Sequence, residues 1–309
     1  MKKPFSLFLI IIIISLFVFS GCNSKEKSQY ESNDNLKIVT TIFPYYDFVR
    51  TVTGNKADIV LLLSPGSEPH SYEPSPSDIV AIENCDIFIY NGGESDEWVE
   101  EVLSSLENTN IKILRMMDYI APLYEKTPEH TDGDEYDEHI WTSLRNAQSL
   151  VSAITDEVID ADSKNKSFFE RNSEVYIKSL SELDKKFEAA VGTARRKVVV
   201  FGDRFPFLYF ITDYNLDYEC AFPGCSSETE PSIATVSRLI DYVRNKNIPV
   251  VFYLEFSNGK IAQIISEDSN ARTLQFSSCH NVTKDEFENK VTYLLLMEQN
   301  LNVLKEAIS

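Results

Sequence analysis

Positive charge is scarce in this chain: 29 Lys and Arg stand against 48 Asp and Glu, a formal charge of −19 over 309 residues. A field of that sign repels nucleic acid and attracts cations without selecting a site for them. Long apolar runs are scarcer still. Only Phe5 to Phe19 qualifies, and it falls short of the roughly 20 residues that a spanning helix needs. No His-Glu-x-x-His pair and no glycine-rich phosphate loop occurs, which argues against motif-bearing zinc hydrolases and P-loop enzymes. Histidine is limited to His70, His130, His139 and His280. Each therefore has to be weighed separately.

The apolar run is preceded by Lys2 and Lys3 and followed by Ser20-Gly21-Cys22. A positive end, a short greasy core, small residues and then cysteine make a secretory signal ending in a lipobox. An uncleaved anchor is the plainer alternative. The expectation is a signal peptide over 1–21, acylation of the Cys22 thiol, and a lipid-anchored flexible tether over 22–35, rich in Lys, Glu and Ser. That places the rest of the chain outside the cytoplasm, on the bacterial cell membrane. Loss of Lys2 and Lys3 makes it more acidic still. Cys85, Cys220, Cys225 and Cys279 remain, and an oxidising compartment allows three pairings among them. Cys225 with Cys279 is the preferred pair, while Cys85 lies in an apolar segment and reads as a buried free thiol.

From Leu36 onward, short apolar strands alternate with helical stretches, the pattern of βαβ units around a mostly parallel sheet. Strands are expected near 37–41, 58–63, 86–90 and 112–115. Ser75-Pro76-Ser77-Asp78 makes a helix start, with a capping serine, a first-turn proline and an acid at the positive helix end. A helix after Trp141 carries Ala147, Leu150, Val151, Ile154 and Val158 on one face. A second, from about Lys164 to Val191, repeats Tyr176, Leu180, Leu183, Phe187 and Val191 at steps of three and four. At ~1.5 Å per residue it spans about 40 Å, enough to join two lobes stiffly. The alternation then resumes, with strands near 197–201, 217–222, 249–255 and 272–276. Thr283 and Glu286 frame a capping box for one terminal helix. The expected fold is α/β, with two lobes, each a mostly parallel sheet flanked by helices: an N-terminal lobe over 36–163, a rigid linking helix over 164–192 and a C-terminal lobe over 193–309.

Two histidines stand in informative frames. His70 lies in Pro69-His70-Ser71-Tyr72-Glu73-Pro74, just past a strand, where ligand sites of α/β sheets gather. His139 lies in Asp137-Glu138-His139-Ile140-Trp141, closing an acidic stretch that includes His130 and opening an ordered apolar one. Imidazole suits zinc and its neighbours when one ring nitrogen is unprotonated. An ordinary surface-loop histidine is the competing reading for His70, and a solvated acidic loop for the stretch before His139.

The lipobox, the Ser-Pro-Gly-x-x-Pro-His-x-Tyr-Glu-Pro-x-Pro frame of His70, Asp-Glu-His-Ile-Trp around His139, Asn91-Gly92, the long helix and Glu230-Pro231-Ser232 together resemble the solute-binding lipoproteins of zinc and manganese ABC importers. The resemblance covers essentially all of the mature chain. It implies two α/β lobes, a rigid linking helix and a metal held between the lobes by four ligands, two of which match His70 and His139. The third family position falls on Arg204, beside Asp203. A guanidinium cannot bind a metal ion, so Arg204 is expected to orient a carboxylate such as Glu228 or Glu255, or to form a surface pair. The fourth falls near Ser277, with His280 three residues on as its replacement. Asp203, Glu255 and His280 are thus the candidates to complete a tetrahedral or five-coordinate shell, with Cys279 as an alternative thiolate.

The resemblance implies capture of Zn2+, with Mn2+ the alternative if oxygen donors dominate, and delivery to the permease and ATPase of an ABC importer by a monomer. It implies no enzyme activity. A metallohydrolase needs an open metal position and a general base, and a surface adhesin lipoprotein needs neither; both remain competing readings.

Overall fold

Alternate residues of the central strands of each sheet face different cores, and this sets the architecture. A computed structural model of the chain describes residues 35–124, 136–222 and 231–309, the His70 side chain excepted. The signal peptide, Cys22, most of the tether, His130, Cys225 and Glu228 lie outside the described residues. The first half runs β1 (Leu36–Thr40), α1 (Phe43–Thr53), β2 (Ala57–Leu61), α2 (Pro76–Glu83), β3 (Ile87–Tyr90), α3 (Trp98–Ser105), β4 (Lys112–Arg115) and α4 (Leu144–Ala161). α5 (Lys166–Gly192) follows. The second half runs β5 (Val198–Phe201), α6 (Leu208–Tyr214), β6 (Asp217–Cys220), α7 (Ile233–Lys246), β7 (Val250–Tyr253), α8 (Lys260–Ser269), β8 (Arg272–Gln275), α9 (Lys284–Glu288) and α10 (Tyr293–Ile308).

The two sheets are wholly parallel and share one topology, β2-β1-β3-β4 in one lobe and β6-β5-β7-β8 in the other. Central strands covered on both faces read as unbroken apolar runs, Ile87-Phe88-Ile89-Tyr90 and Val198-Val199-Val200-Phe201. Along β3, Ile87 and Ile89 enter the core that the two lobes share, whereas Phe88 and Tyr90 meet α2 and α3 on the outer face. Val250 and Phe252 of β7 likewise face the shared core, and Val251 faces α7 and α8. Period-two side-chain alternation requires this.

The linking helix α5 packs on α1, α4 and α10. Its apolar stripe Phe169, Tyr176, Leu180, Leu183, Phe187 and Val191 is buried. At about 1.5–3 kcal/mol for each large apolar side chain buried, this seam fixes the lobes to the helix. One continuous core therefore runs from Ile38 to Ile308, and the two lobes are not independent bodies on a loose hinge.

Two local expectations need adjustment. Ser75 and Asp78 form the foreseen capping box of α2, with Tyr72 donating its hydroxyl to Asp78. The Thr283–Glu286 box, however, caps only the five-residue α9. The terminal helix breaks at Lys290, whose φ is +56°, and restarts at Thr292, which caps α10. The break leaves the Lys290 and Val291 carbonyls available to Arg50 of α1. Of the expected Cys225–Cys279 pair, Cys225 lies outside the described residues, and Cys279 is a free thiol, fully buried in the shared core. Cys85 is also a buried free thiol, its ionisation pushed up to about 12 by burial.

Candidate metal centre

The carboxyl ends of parallel strands are where α/β folds bind ligands. Here both sheets aim those ends at one cavity of about 290 Å³, lined by Glu68, Pro69, His139, Asp203, Arg204, Glu255 and His280 among others. Those from the N-terminal lobe follow β2 or β4, and those from the C-terminal lobe follow β5, β7 or β8. At the end of β5, Gly202 lies against α8 so closely that a Cβ there would stand 2.4 Å from the Ala262 Cα. Only glycine allows that approach.

His139 precedes a single 3-10 turn, Ile140–Thr142, and is 1% exposed. Asp137 Oδ1 accepts both the His139 backbone N–H, at 2.7 Å, and the ring Nδ1–H, at 2.9 Å. A carboxylate can only accept, so a proton is on Nδ1, and in the neutral ring Nε2 is the atom with a lone pair for a metal. Glu138 turns the other way, its carboxylate accepting from the Ser95 backbone N–H and hydroxyl. Its carbonyl accepts from the Asn91 amide. Behind the histidine lies fully buried Trp141, whose ring centroid is 5.3 Å from that of His139.

His280 leaves β8 through an unusual backbone. Cys279 holds φ +59°, a left-handed conformation that costs a non-glycine residue on the order of 1–2 kcal/mol. Short bonds hold it there: Cys279 N–H to the Ser277 hydroxyl (3.1 Å) and His280 N–H to the Ser278 hydroxyl (3.2 Å). Beneath the segment Phe276 packs on Phe207 and Phe252, each at 5.0 Å between centroids. Trp141 donates its Nε1–H to the Ser278 carbonyl at 2.8 Å, so the two histidine segments are tied across the lobes. The rings of His139 and His280 end 5.9 Å apart at 83°. At Zn–N distances of about 2.0–2.1 Å, two imidazoles sharing one ion hold their centroids roughly 5–6 Å apart, so the spacing fits.

Of the sequence candidates, His139, His280, Asp203, Glu255 and Arg204 reach this one cavity. His70 lies in the 3-10 turn Pro69–Ser71, directly after the lining residues Glu68 and Pro69. The loop before it is bound to the His280 segment. The Asn281 amide donates to the Ser64 and Ser67 carbonyls, both at 2.9 Å, and Gly66 N–H to Val282. Both candidate carboxylates accept hydrogen bonds within the C-terminal lobe. Both Glu255 oxygens accept from Ser278, the hydroxyl at 2.7 Å and the N–H at 2.8 Å; burial pushes this carboxyl up and those bonds oppose the shift. Asp203 accepts the backbone N–H of Arg204 and of Leu254. Among the described residues, no group of three or more His, Cys, Asp and Glu side chains is placed to hold a metal ion. Cys279 does not line the cavity; its thiol is fully buried in the shared core, and burial raises its ionisation well above the ordinary range. Of the partners expected for Arg204, Glu228 lies outside the described residues; Arg204 Nη1 stands 3.7 Å from Oε1 of Glu68.

Sequence reasoning did not assign Asp137, Asn281 or Ser278 a role. An acid two residues before a metal-type histidine is a readable signal for the first. The other two depend on lobe packing and leave no local mark.

Two parallel α/β lobes on a stiff helix, with buried imidazoles from both lobes meeting in the crevice, define a cleft-type metal-binding protein. Residues 38–307 match the family described as zinc-uptake complex component A, periplasmic, and the chain belongs to it. It is a family of binding components and not of enzymes. The chain is 30% identical to the high-affinity zinc uptake system protein ZnuA of Bacillus subtilis (strain 168), over 99% of this chain and 98% of that one. It is 29% identical to the zinc-binding lipoprotein AdcA of Streptococcus pneumoniae (strain R6), over 96% of this chain but only 60% of that relative's length. The crystal structure of the Zn(II)-bound ZnuA-like domain of Streptococcus pneumoniae AdcA superposes with a TM-score of 0.76 at 30% identity, covering 89% of this chain and 99% of that one.

Proposed function

We propose that this chain is the extracytoplasmic receptor of a zinc importer. It captures Zn2+ between the lobes and hands it to an ABC permease driven by its ATPase. The observation that carries this reading is the pairing of His139 and His280, from different lobes, at a spacing that one ion can bridge. Asp137 leaves Nε2 of His139 as the donor. His70, on a loop bound to the His280 segment, is the third donor. Asp203 and Glu255 shape the strand ends that carry the site. Nitrogen donors favour zinc over manganese. Acylation of Cys22 would keep the receptor at the membrane as a monomer. Among the described residues, no helix is long and apolar enough to cross one.

Zinc titration by calorimetry from pH 5 to pH 8 tests the reading. Protons compete for imidazole, so affinity falls as the solution is acidified. The His139→Ala and His280→Ala proteins each lose at least about tenfold, equivalent to about 1.4 kcal/mol. A pH-independent affinity, or unchanged affinity in both variants, overturns it.

A further inference from the structure

The segment 278–282 carries His280 and grips the N-terminal lobe through its backbone. The Ser278 carbonyl accepts from Trp141, the His280 carbonyl from the Phe43 N–H at 3.3 Å, and the Val282 carbonyl from the Gly66 N–H at 2.8 Å. Among them stands Asn281, 1% exposed. Its Oδ1 accepts the Val282 N–H at 2.8 Å, which fixes the way the amide points. Both Nδ2 hydrogens then go to the other lobe, to the Ser64 and Ser67 carbonyls at 2.9 Å each. Those carbonyls bracket a tight turn. The Ser67 N–H closes it on the Ser64 carbonyl at 3.0 Å. Gly66, with Pro65 before it, holds φ +85°, the value that glycine supplies in a type II turn. Pro69 and His70 follow at once, in a 3-10 turn that the Tyr72 N–H closes on the Pro69 carbonyl at 3.1 Å. The amide of Asn281 therefore holds both ends of the turn that leads into His70.

We infer that Asn281 is a positioning residue for the cargo: it locks the His70 loop of one lobe onto the His280 segment of the other, and so sets how slowly the ion leaves. The inference rests on the reading of His70 as the third donor. The clamp is made of protein groups alone, so it orders the loop independently of the ion. Ordering a donor beforehand removes that cost from binding. A clamped donor that lets go of the ion also stays in place to take it back. Asn281 spends both amide hydrogens on carbonyls and Oδ1 on Val282, so it acts through His70 and not as a ligand. Without the amide, the Ser64–Ser67 turn keeps its own bond and the Gly66 contact with Val282, but loses both side-chain ties to the C-terminal lobe. First capture by His139 and His280 does not involve those ties. Changes within one binding site fall mostly on the dissociation rate, and here the geometry gives the reason.

Stopped-flow transfer of Zn2+ from the full chain to excess chelator tests this, at protein concentrations that keep the ion bound beforehand. Asn281→Leu matches asparagine in branching and carries no donor. It should release zinc about 10–100 times faster, the range for lost outer partners of metal ligands, with the association rate within about threefold of wild type. In a His70→Ala background the same substitution should add little, because the donor that it positions is gone. Asn281→Ala removes the same donors and stands in if the leucine protein does not fold, with circular dichroism as the control. Asn281 variants that release zinc at the wild-type rate overturn the inference. So do variants that speed release as much in the His70→Ala background as in wild type, since Asn281 would then act through His280 or through the fold at large. His70→Ala protein that releases zinc as slowly as wild type overturns instead the assignment of His70 as a donor, and takes this inference with it.

Discussion

Oδ1 of Asp137 receives two donors from His139, the backbone N–H at 2.7 Å and the ring Nδ1–H at 2.9 Å. A single carboxylate atom thereby sets the backbone turn, the tautomer and the ring orientation of one imidazole. Carboxylates behind metal-binding histidines raise their basicity, and their loss costs about 10–100-fold in metal affinity. Asp137→Asn is therefore expected to weaken zinc binding within that range while the fold is retained. Calorimetry, together with circular dichroism as the folding control, checks it. An unchanged affinity would show that His139 does not bind the ion through Nε2.

A second carboxylate joins the lobes. Fully buried Asp47 of α1 pairs with Arg50 at 2.7 Å, and Oδ2 accepts the Tyr293 N–H of α10 and the Tyr176 hydroxyl of α5. Burial raises its carboxyl and the guanidinium pulls against that shift. Arg50 also donates to the Lys290 and Val291 carbonyls at the break before α10. Arg50→Ala leaves the carboxylate buried with less compensation, which costs about 3–5 kcal/mol. Urea unfolding should show that loss, and a loss under about 1 kcal/mol would mean that Asp47 is held by Tyr176 and Tyr293 alone.

Asp96 predicts a pH dependence of stability apart from metal binding. It lies under the Asn91-Gly92 turn, accepts both backbone N–H groups at 2.7 and 3.1 Å, and burial pushes it from 3.8 up to about 7. The folded state binds this proton more tightly than the unfolded one. The contribution is thus complete below the ordinary carboxylate range and is lost as pH rises through about 7. One group changes stability by at most about 1.4 kcal/mol per pH unit. Wild-type protein should be more resistant to urea at pH 5 than at pH 8, and Asp96→Asn should flatten that difference. Equal slopes in the two proteins would place the titration elsewhere.

The architecture was readable wherever local chemistry and packing agree. The periodic stripe from Tyr176 to Val191 predicts the linking helix because those side chains have no burial except against both lobes. Ser75 with Asp78 predicts the start of α2 for the same reason, since the cap needs only its neighbours. The terminal helix was misjudged at Lys290, where the break serves Arg50, 240 residues away in the chain. The site divides in the same manner. His139 announces itself by Trp141 behind it and His70 by its proline frame. The roles of Glu255 and Arg204 depend on which partner the fold puts within reach, Ser278 for one and Glu68 for the other. No spacing rule encodes those choices.

Trp141 gives the site an optical reporter. Its ring centroid lies 4.6 Å from that of His280 and 5.3 Å from that of His139, whereas Trp98, the other tryptophan of the chain, packs against Tyr72 and Phe88 in the outer core. A divalent ion bound between the two imidazoles changes the charge beside the Trp141 indole and leaves that beside Trp98 nearly as it was. Zinc should therefore alter the tryptophan emission of the wild-type and Trp98→Phe proteins, and leave that of Trp141→Phe almost unchanged. The last variant also strips the Ser278 carbonyl of its indole donor. Leaving a buried acceptor unpaired costs about 1–3 kcal/mol, so some of that loss should appear as weaker zinc binding once the His280 segment is less firmly held. A full zinc response in Trp141→Phe would mean that the ion binds away from His139 and His280.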